Sequence, residues 1–362
     1  MMLTDPIFKA FYPAKLFKEH VLPINSIDYS DSGEFLITAS GDDTFFVFDC
    51  VSGKKIKLIH SKKYGCENVR FTHSNSCVIH SSKDSGIIRY LSLHDNRYFE
   101  YFIGHSGKVL DLVMSPADDT FVSVSEDKSV RIWDLRSKNC QGFSQPNSPP
   151  SLVKMDPRGL IYAVSTLRKT ILLYDLRSFD KGHFCEFSVP ISSCYGPPDP
   201  PYIESSSITG FEFTPDGQRV VTLVINESEA VASILDSFDG RVYNCLSTSP
   251  PWAYLKAIKN PDICCQKMRI NISITPDSRY LMTFIPSRKL ECYLQAWKLE
   301  NGQPISLYDP IVNKSTCQLA EIQDTPYHVC LTKFNPRFMM MATTCDHNLI
   351  LWQPDQDKTF LG

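Results

Sequence analysis

One spacing constrains this chain more than any other feature. Eighteen residues separate a turn-forming Ser, Thr or Asp from an aromatic residue, and the interval recurs. It links Ser115 to Trp133, Ser30 to Phe48, Thr72 to Tyr90 and Asp156 to Tyr174. Between each pair lie two short apolar runs, as in Phe121, Val122 and Val124, then Val130, Ile132 and Trp133, divided by the Glu126-Asp127-Lys128 turn. Short alternating runs punctuated by Pro, Gly and Asp are the pattern of a β-meander, not of a helix. Three looser copies begin at Thr214, Thr275 and Asn335, each followed by Pro. Successive turn residues are 42, 43, 41, 58, 61 and 60 positions apart. The later units therefore carry insertions of roughly twenty residues beyond a 40–45-residue repeat.

The most complete unit is Gly104–Arg136, which opens on Gly-His and closes on Trp-Asp. These ends resemble the WD-repeat signature, and they imply an all-β, single seven-bladed WD-repeat β-propeller of four-stranded antiparallel blades. The expected blades are 20–60, 61–103, 104–145, 146–190, 205–247, 265–308 and 326–354, forming one domain over 1–362. His20 and His105 both precede their turn residue by ten positions. Residues 14–18 then align with an outermost strand that has no earlier blade in sequence, so they are expected to complete blade seven and close the ring.

His105, Ser123, Asp127 and Trp133 lie at the spacing at which WD repeats build a buried hydrogen-bonded network. The same His, Ser and Asp superficially resemble a hydrolase triad. Their place in the repeat makes them scaffold. The long insertions, roughly 190–207, 247–267 and 309–325, all precede an innermost strand and are expected on the end of the propeller that carries the Asp-bearing turns. Lys62, Lys63, Tyr64, Lys83, Lys108, Arg168, Lys169, Arg288 and Lys289 are assigned to that same end, among Asp42, Asp43, Asp84 and Glu126. A local basic group of this kind suits an acidic or phosphorylated protein segment.

The formal charge of −3 gives no overall attraction to nucleic acid or anionic membrane. Basic residues do not alternate with exposed aromatics as in single-strand binders, so no direct nucleic-acid contact is expected. The N-terminal MMLTDPIFKAFYPAK lacks the unbroken apolar core of a secretory signal, and no apolar run approaches the roughly 20 residues of a membrane-spanning helix. Thirteen cysteines without a CxxC pair favour a reducing, intracellular compartment. No P-loop, GxSxG elbow, HExxH or metal-ligand pairing occurs, so no cofactor, metal or catalytic residue is expected.

Several strings together carry a closer resemblance: SKKYG at 61–65, IRYLSLHDNRY at 88–98, YFIGH at 101–105, SPADDTFVSVSEDKSVRIWDLRS at 115–137 and DLRSFDKG at 175–182. They resemble the WD-repeat subunit family shared by the COMPASS histone methyltransferase and the cleavage and polyadenylation factor with its phosphatase module. The resemblance implies a nuclear, non-catalytic adaptor, monomeric within a larger hetero-complex. Its implied partners are a methyltransferase or a phosphatase and cleavage-factor scaffold, with the phosphorylated RNA polymerase II tail as a further ligand. A phosphopeptide reader and a hydrolase built from the inserted loops are the readings from other classes.

Overall fold

The computed structural model describes residues 3–190, 207–225, 230–248, 269–286, 292–302, 304–306 and 329–355. The protein is a seven-bladed β-propeller of four-stranded antiparallel blades. Its contacts divide it into two compact units, residues 24–189 with 237–240, and residues 1–23, 190–236 and 241–362.

The first unit holds blades one to four. Blade one is Ile24–Tyr29, Phe35–Ser40, Thr44–Asp49 and Lys54–His60, and blade two is Glu67–Phe71, Cys77–Ser81, Ile88–Ser92 and Tyr98–Phe102. Blade three runs Val109–Met114, Thr120–Ser125, Val130–Asp134 and Ser137–Ser144; blade four runs Pro150–Met155, Ile161–Thr166, Thr170–Asp175 and Cys185–Ser188.

The turn residues that mark the repeat do physical work. Each accepts a backbone N–H within its own turn, a side-chain role that favours Ser, Thr, Asp and Asn. Ser30 accepts from Phe35 at 3.1 Å, Thr72 from Ser74 at 3.3 Å, Ser115 from Ala117 at 3.2 Å, and Asp156 from Leu160 and Ile161 at 2.8 Å. The aromatic eighteen residues on lies across the sheet from the second strand, as Trp133 does from Phe121 and Tyr174 from Tyr162. Blades are then tied through their innermost strands. Asp28 accepts the Phe71 N–H at 2.7 Å, Asp111 accepts that of Val153 at 3.2 Å, and Arg70 reaches both Asp111 and Ser26. Between the sheets of blades three and four lies an apolar cluster, with Val122, Val124, Val153, Tyr162 and Val164 all at 0% exposure.

The second unit holds blades five to seven. Blade five is Ser207–Phe213, Arg219–Ile225, Ala230–Asp236 and Val242–Thr248; blade six is Ile272–Ile274, Tyr280–Pro286, Cys292–Lys298 and Pro304–Ser306. Blade seven takes Val329–Phe334, Met341–Cys345 and Asn348–Pro354 from the end of the chain and Phe11–Phe17 from its start, paired antiparallel from Phe11↔Pro354 to Phe17↔Leu349. The N-terminal strand thus completes this blade over 11–17 rather than 14–18, with an irregularity between Pro13 and Lys15.

Two features depart from the repeat. Arg269–Ile270 pairs in parallel with blade seven instead of continuing blade six. Asn271 sits at the split, donating to the Thr332 carbonyl at 3.0 Å and accepting its N–H at 2.6 Å. A short helix, Asp5–Lys9, precedes the N-terminal strand, with Pro6 in its first turn, where a missing N–H costs nothing. Its Phe8 is fully buried and stacks on Tyr280 at 4.3 Å and 6°. Asp5 accepts from Tyr280 at 2.5 Å and pairs with Lys298, which with Tyr280 pulls the carboxyl below its usual pKa. Leu3 donates to Asp277 at 2.7 Å, and its carbonyl accepts from Arg279 at 3.1 Å.

Among the described residues no helix is long and apolar enough to cross a membrane. Among the described residues Cys50, Cys66, Cys77, Cys140, Cys185, Cys330 and Cys345 are free thiols, and Cys245 is disulfide-bonded. The insertions expected at roughly 190–207, 247–267 and 309–325 fall almost wholly in 191–206, 249–268 and 307–328, outside the described residues.

Phe8→Ala removes a fully buried ring that holds the chain start against blade six, and should cost about 3 kcal/mol or more. Tyr280→Phe, which loses only the hydroxyl, should cost about 1 kcal/mol. Urea midpoints measure both, and an unchanged midpoint for Phe8→Ala would contradict the anchoring role.

Candidate functional site

The His105 group is interior. Its Nδ1 lies 2.9 Å from Asp127 and its Nε2 2.8 Å from Ser123 Oγ, which accepts the Trp133 indole N–H at 2.9 Å. With Asp127 ionised, the proton sits on Nδ1, so Nε2 accepts from the Ser123 hydroxyl. Burial raises the Asp127 pKa, but donors from Ser129 and His105 outweigh it and hold the carboxyl at about 2. Burial lowers that of His105, so the ring is neutral. The His105 side chain has no exposed area and Ser123 is at 0%. The His105 nitrogens, the Ser123 hydroxyl and the Trp133 indole N–H are all engaged within the group, and neither His105 nor Ser123 faces solvent as a nucleophile.

The basic residues assigned to one end of the propeller separate into distinct environments. Lys62 and Lys63 are exposed on the connection from blade one to blade two, and Tyr64 beside them is half-buried. Gly65 follows at φ +69°, where a side chain would also meet Lys83 Cβ at 2.5 Å. This close approach brings Lys83 onto the loop, with its N–H donating to the Tyr64 carbonyl at 3.2 Å. Lys63 Nζ lies 5.1 Å from the centre of the Tyr64 ring. Lys108, by contrast, is paired with Glu67 at 2.9 Å, so this cation is spent on the blade two to blade three contact. Arg168 and Lys169 lie at the turn before Thr170 in blade four, with Lys169 at φ +61°. Arg288 and Lys289 fall outside the described residues.

The structure adds Arg89 to the blade-two group. It sits in the third strand, opposite His80 on one side and Tyr101 on the other. Its residue exposure is 3%, and its guanidinium stacks 3.8 Å from the Tyr64 ring centre and 5.6 Å from that of Tyr101. Nη1 donates to Ser82 Oγ, while Nε is buried without a hydrogen-bond partner. Burial lowers the Arg89 pKa, and the groups that oppose this are the hydroxyls of Tyr98, Tyr64 and Tyr101, not a carboxylate. Tyr98 closes the group, bonding Ser61 at 3.2 Å and packing 5.8 Å from Tyr64.

Strand pairing sets Arg89 opposite His80 as Arg131 is set opposite Ser123 in blade three, and Arg131 likewise lies over a fourth-strand aromatic, Phe143, at 5.0 Å with its Nε unpartnered.

A separate cavity of about 310 Å³ lies in the second unit beside the N-terminal helix. Its cations are engaged, Lys298 by Asp5, Arg279 by the Leu3 carbonyl and Arg219 by the Leu299 carbonyl.

His80, fully buried beside Arg89, donates from Nδ1 to the Ser81 carbonyl at 3.1 Å and leaves Nε2 unpartnered. Burial lowers its pKa to about 4, against the pull of Ser81 and with the help of Arg89. The unfolded chain takes up this proton near pH 6.5 and the folded one does not. Stability should therefore fall by about 3 kcal/mol as pH drops from about 6.5 to 4. His80→Phe should make that decline shallower; urea midpoints at pH 7, 5 and 4 that fall in parallel for both proteins would refute it.

The description "WD domain, G-beta repeat" matches residues 11–49 and 97–134, in each case an outermost strand plus the first three strands of the next blade. WD repeat-containing protein 82 of Drosophila melanogaster is 36% identical over 98% of both chains. Set1 complex component swd2 of Schizosaccharomyces pombe is 32% identical over 97% of this chain and 98% of its own. COMPASS component SWD2 of Saccharomyces cerevisiae is 40% identical over 45% of this chain and 50% of its own. With two relatives matched along nearly their whole length and the repeat found in the fold, the chain belongs to the WD-repeat family that includes WD repeat-containing protein 82 and the Set1 complex component swd2.

Proposed function

We propose that this protein is a non-catalytic adaptor subunit of a nuclear histone methyltransferase complex, and that it holds a segment of a larger subunit against the propeller. The observation that carries the reading is the end-to-end similarity to a protein named as a Set1 complex component, over 97% of this chain and 98% of that one. Two features of the fold support it. The His105, Ser123 and Asp127 constellation is consumed in hydrogen bonds at blade three. Lys62, Lys63 and Tyr64 form a basic and aromatic surface around one loop, and Lys83 beside them donates to the Gly41 carbonyl at 3.3 Å and lies 4.0 Å from Asp43. Rigid blades bearing such a loop hold an extended segment without paying to order themselves. Lys62, Lys63, Tyr64 and Lys83 are the contact residues of this reading, with Arg168 and Lys169 further along the same unit. The reading extends to the cleavage and polyadenylation machinery with its phosphatase module, as a second complex that the same surface serves.

Affinity purification of the tagged full-length protein from nuclear extract tests this. Methyltransferase subunits should co-purify, and cleavage-factor or phosphatase subunits should appear if the second complex is served. Recovery of neither set would remove the adaptor reading. Lys62→Glu with Lys63→Glu should weaken recovery about tenfold while leaving the melting temperature unchanged, since both side chains are exposed.

A further inference from the structure

We propose that His73 is a proton-operated clip that fastens the turn between the first two strands of blade two to the matching turns of blades one and three, and that losing one ring proton releases blade three. The proposal is independent of the adaptor reading.

Two observations carry it. First, the repeat departs from itself at one position in two neighbouring blades, and the two departing residues are bonded to each other. In every blade the N–H of the turn marker donates to the carbonyl five residues on, from Ser30 to Phe35 through to Asn335 to Met340, so the positions after the markers are equivalent. Blades three to seven place Pro there, at 116, 157, 215, 276 and 336. Pro presets the first angle of such a turn. Blade one has Asp31 instead, and blade two has His73. Their side chains meet, with His73 Nδ1 2.7 Å from Asp31 Oδ2.

Second, the ring lies between two acceptors. Its Nε2 is 3.0 Å from the backbone carbonyl of Asp118, in the turn of blade three. Neither a carboxylate nor a carbonyl donates, so both bonds exist together only when both ring nitrogens carry hydrogen. The ring is then an imidazolium. The Asp31 bond raises the His73 pKa against the effect of burial, and the Asp118 carbonyl and the charges of Asp31 and Asp119 add to the rise. Asp31 from blade one and Asp119 from blade three are the charged groups facing the ring. The Asp118 carboxyl is turned into its own loop, where it accepts the Thr120 N–H at 3.1 Å. The turn of blade two itself, Thr72 to Ser76, holds no other charged side chain.

The two arms are unequal. A neutral ring keeps one N–H, and the carboxylate is the stronger acceptor. Nδ1–H therefore stays on Asp31, and the bare Nε2 lone pair meets the Asp118 oxygen with no hydrogen between them. Blades one and two keep a further tie that does not titrate, from the Ser32 hydroxyl to Asn75 Oδ1 at 3.3 Å. Blade three's turn is the one that lets go. Because the folded pKa is raised, the clip is fully closed below about pH 6.5 and opens as pH rises through the folded value. His80 acts in the opposite sense, weakening the fold as pH falls.

The test uses the full-length protein with ¹⁵N-labelled histidine, between about pH 6 and 9. The ring nitrogens of His73 are identified by their loss in His73→Gln, which should fold because the residue is exposed. Both nitrogens should carry hydrogen at the acid end, and Nδ1 alone at the alkaline end. Asp31→Asn should move the midpoint down. Water exchange of the Ala117 and Thr120 amides, which are bonded within blade three's turn, is followed in parallel as protection factors corrected for base catalysis. Protection should fall about tenfold as the ring loses its proton, the scale of one lost hydrogen bond to a charged group. Protection of the Phe35 amide in blade one's turn should not change, and in His73→Gln neither turn should respond to pH.

A His73 ring that titrates below about pH 6.5 overturns the clip, as does a neutral ring that keeps its hydrogen on Nε2. So does blade three protection that ignores the ring's titration, or that falls equally in His73→Gln.

Discussion

A four-stranded blade has two apolar faces and can cover neither by itself. The structure of each unit follows from that constraint. Neighbouring blades must stack closely enough to exclude water, and what fixes their relative register is polar. Carboxylates on the innermost strands, Asp28 and Asp111, each accept a backbone N–H from the next blade. In the second unit Ser273 does the same for Phe334 at 2.9 Å. A buried N–H that no strand can satisfy is matched to a side chain one blade earlier, so sliding one sheet against the next leaves both groups unpaired. Hydrophobic burial supplies the attraction between blades. These few hydrogen bonds choose one arrangement of it.

The ties leave a trace that is readable without a structure. Contacts between neighbouring blades fall at the repeat step: Asp28 to Phe71 spans 43 residues, Asp111 to Val153 spans 42, and Ser273 to Phe334 spans 61. Each is one residue more than the interval between the corresponding turn residues, 42, 41 and 60, so the lengthened step appears in the contacts as well. Much of the fold was legible for this reason. Ser30, Ser115 and Asp156 are fixed by what their oxygens accept, and Trp133 and Tyr174 by the strand they lie across. The same step explains where Lys108 goes. Glu67 lies 41 residues before it, one blade back, and the two form an ion pair. Reading Lys108 as a free surface cation considered its own turn and not the blade behind it.

What was not legible has physical causes of its own. The helix Asp5–Lys9 is five residues long, too short to show any period, and it is held by tertiary contacts of Phe8 and Asp5 with blade six rather than by propensity. The parting of the strand at Asn271 depends on one side chain that bonds Thr332 twice, and nothing local marks it. Arg89 is a different case: the third strand of blade two is one residue out of step with the eighteen-residue spacing, so Leu91 and not Tyr90 takes the place of Trp133, and Arg89 falls at the place of Arg131.

Two arginines of blade two make the distinction physical. Arg70 and Arg89 are both largely buried, and both lie where sheets meet. Arg70 spans three blades, and each of its terminal nitrogens ends on an oxygen of the chain, so removing it would strand Asp111 as well. That mutual dependence is the mark of a residue kept for the fold. Arg89 strands nothing of opposite charge among the described residues. Its guanidinium lies over Tyr64 and that of the equivalent Arg131 in blade three lies over Phe143, each with Nε unpartnered. A ring face steadies such a cation only in part, because a ring quadrupole does not replace an anion.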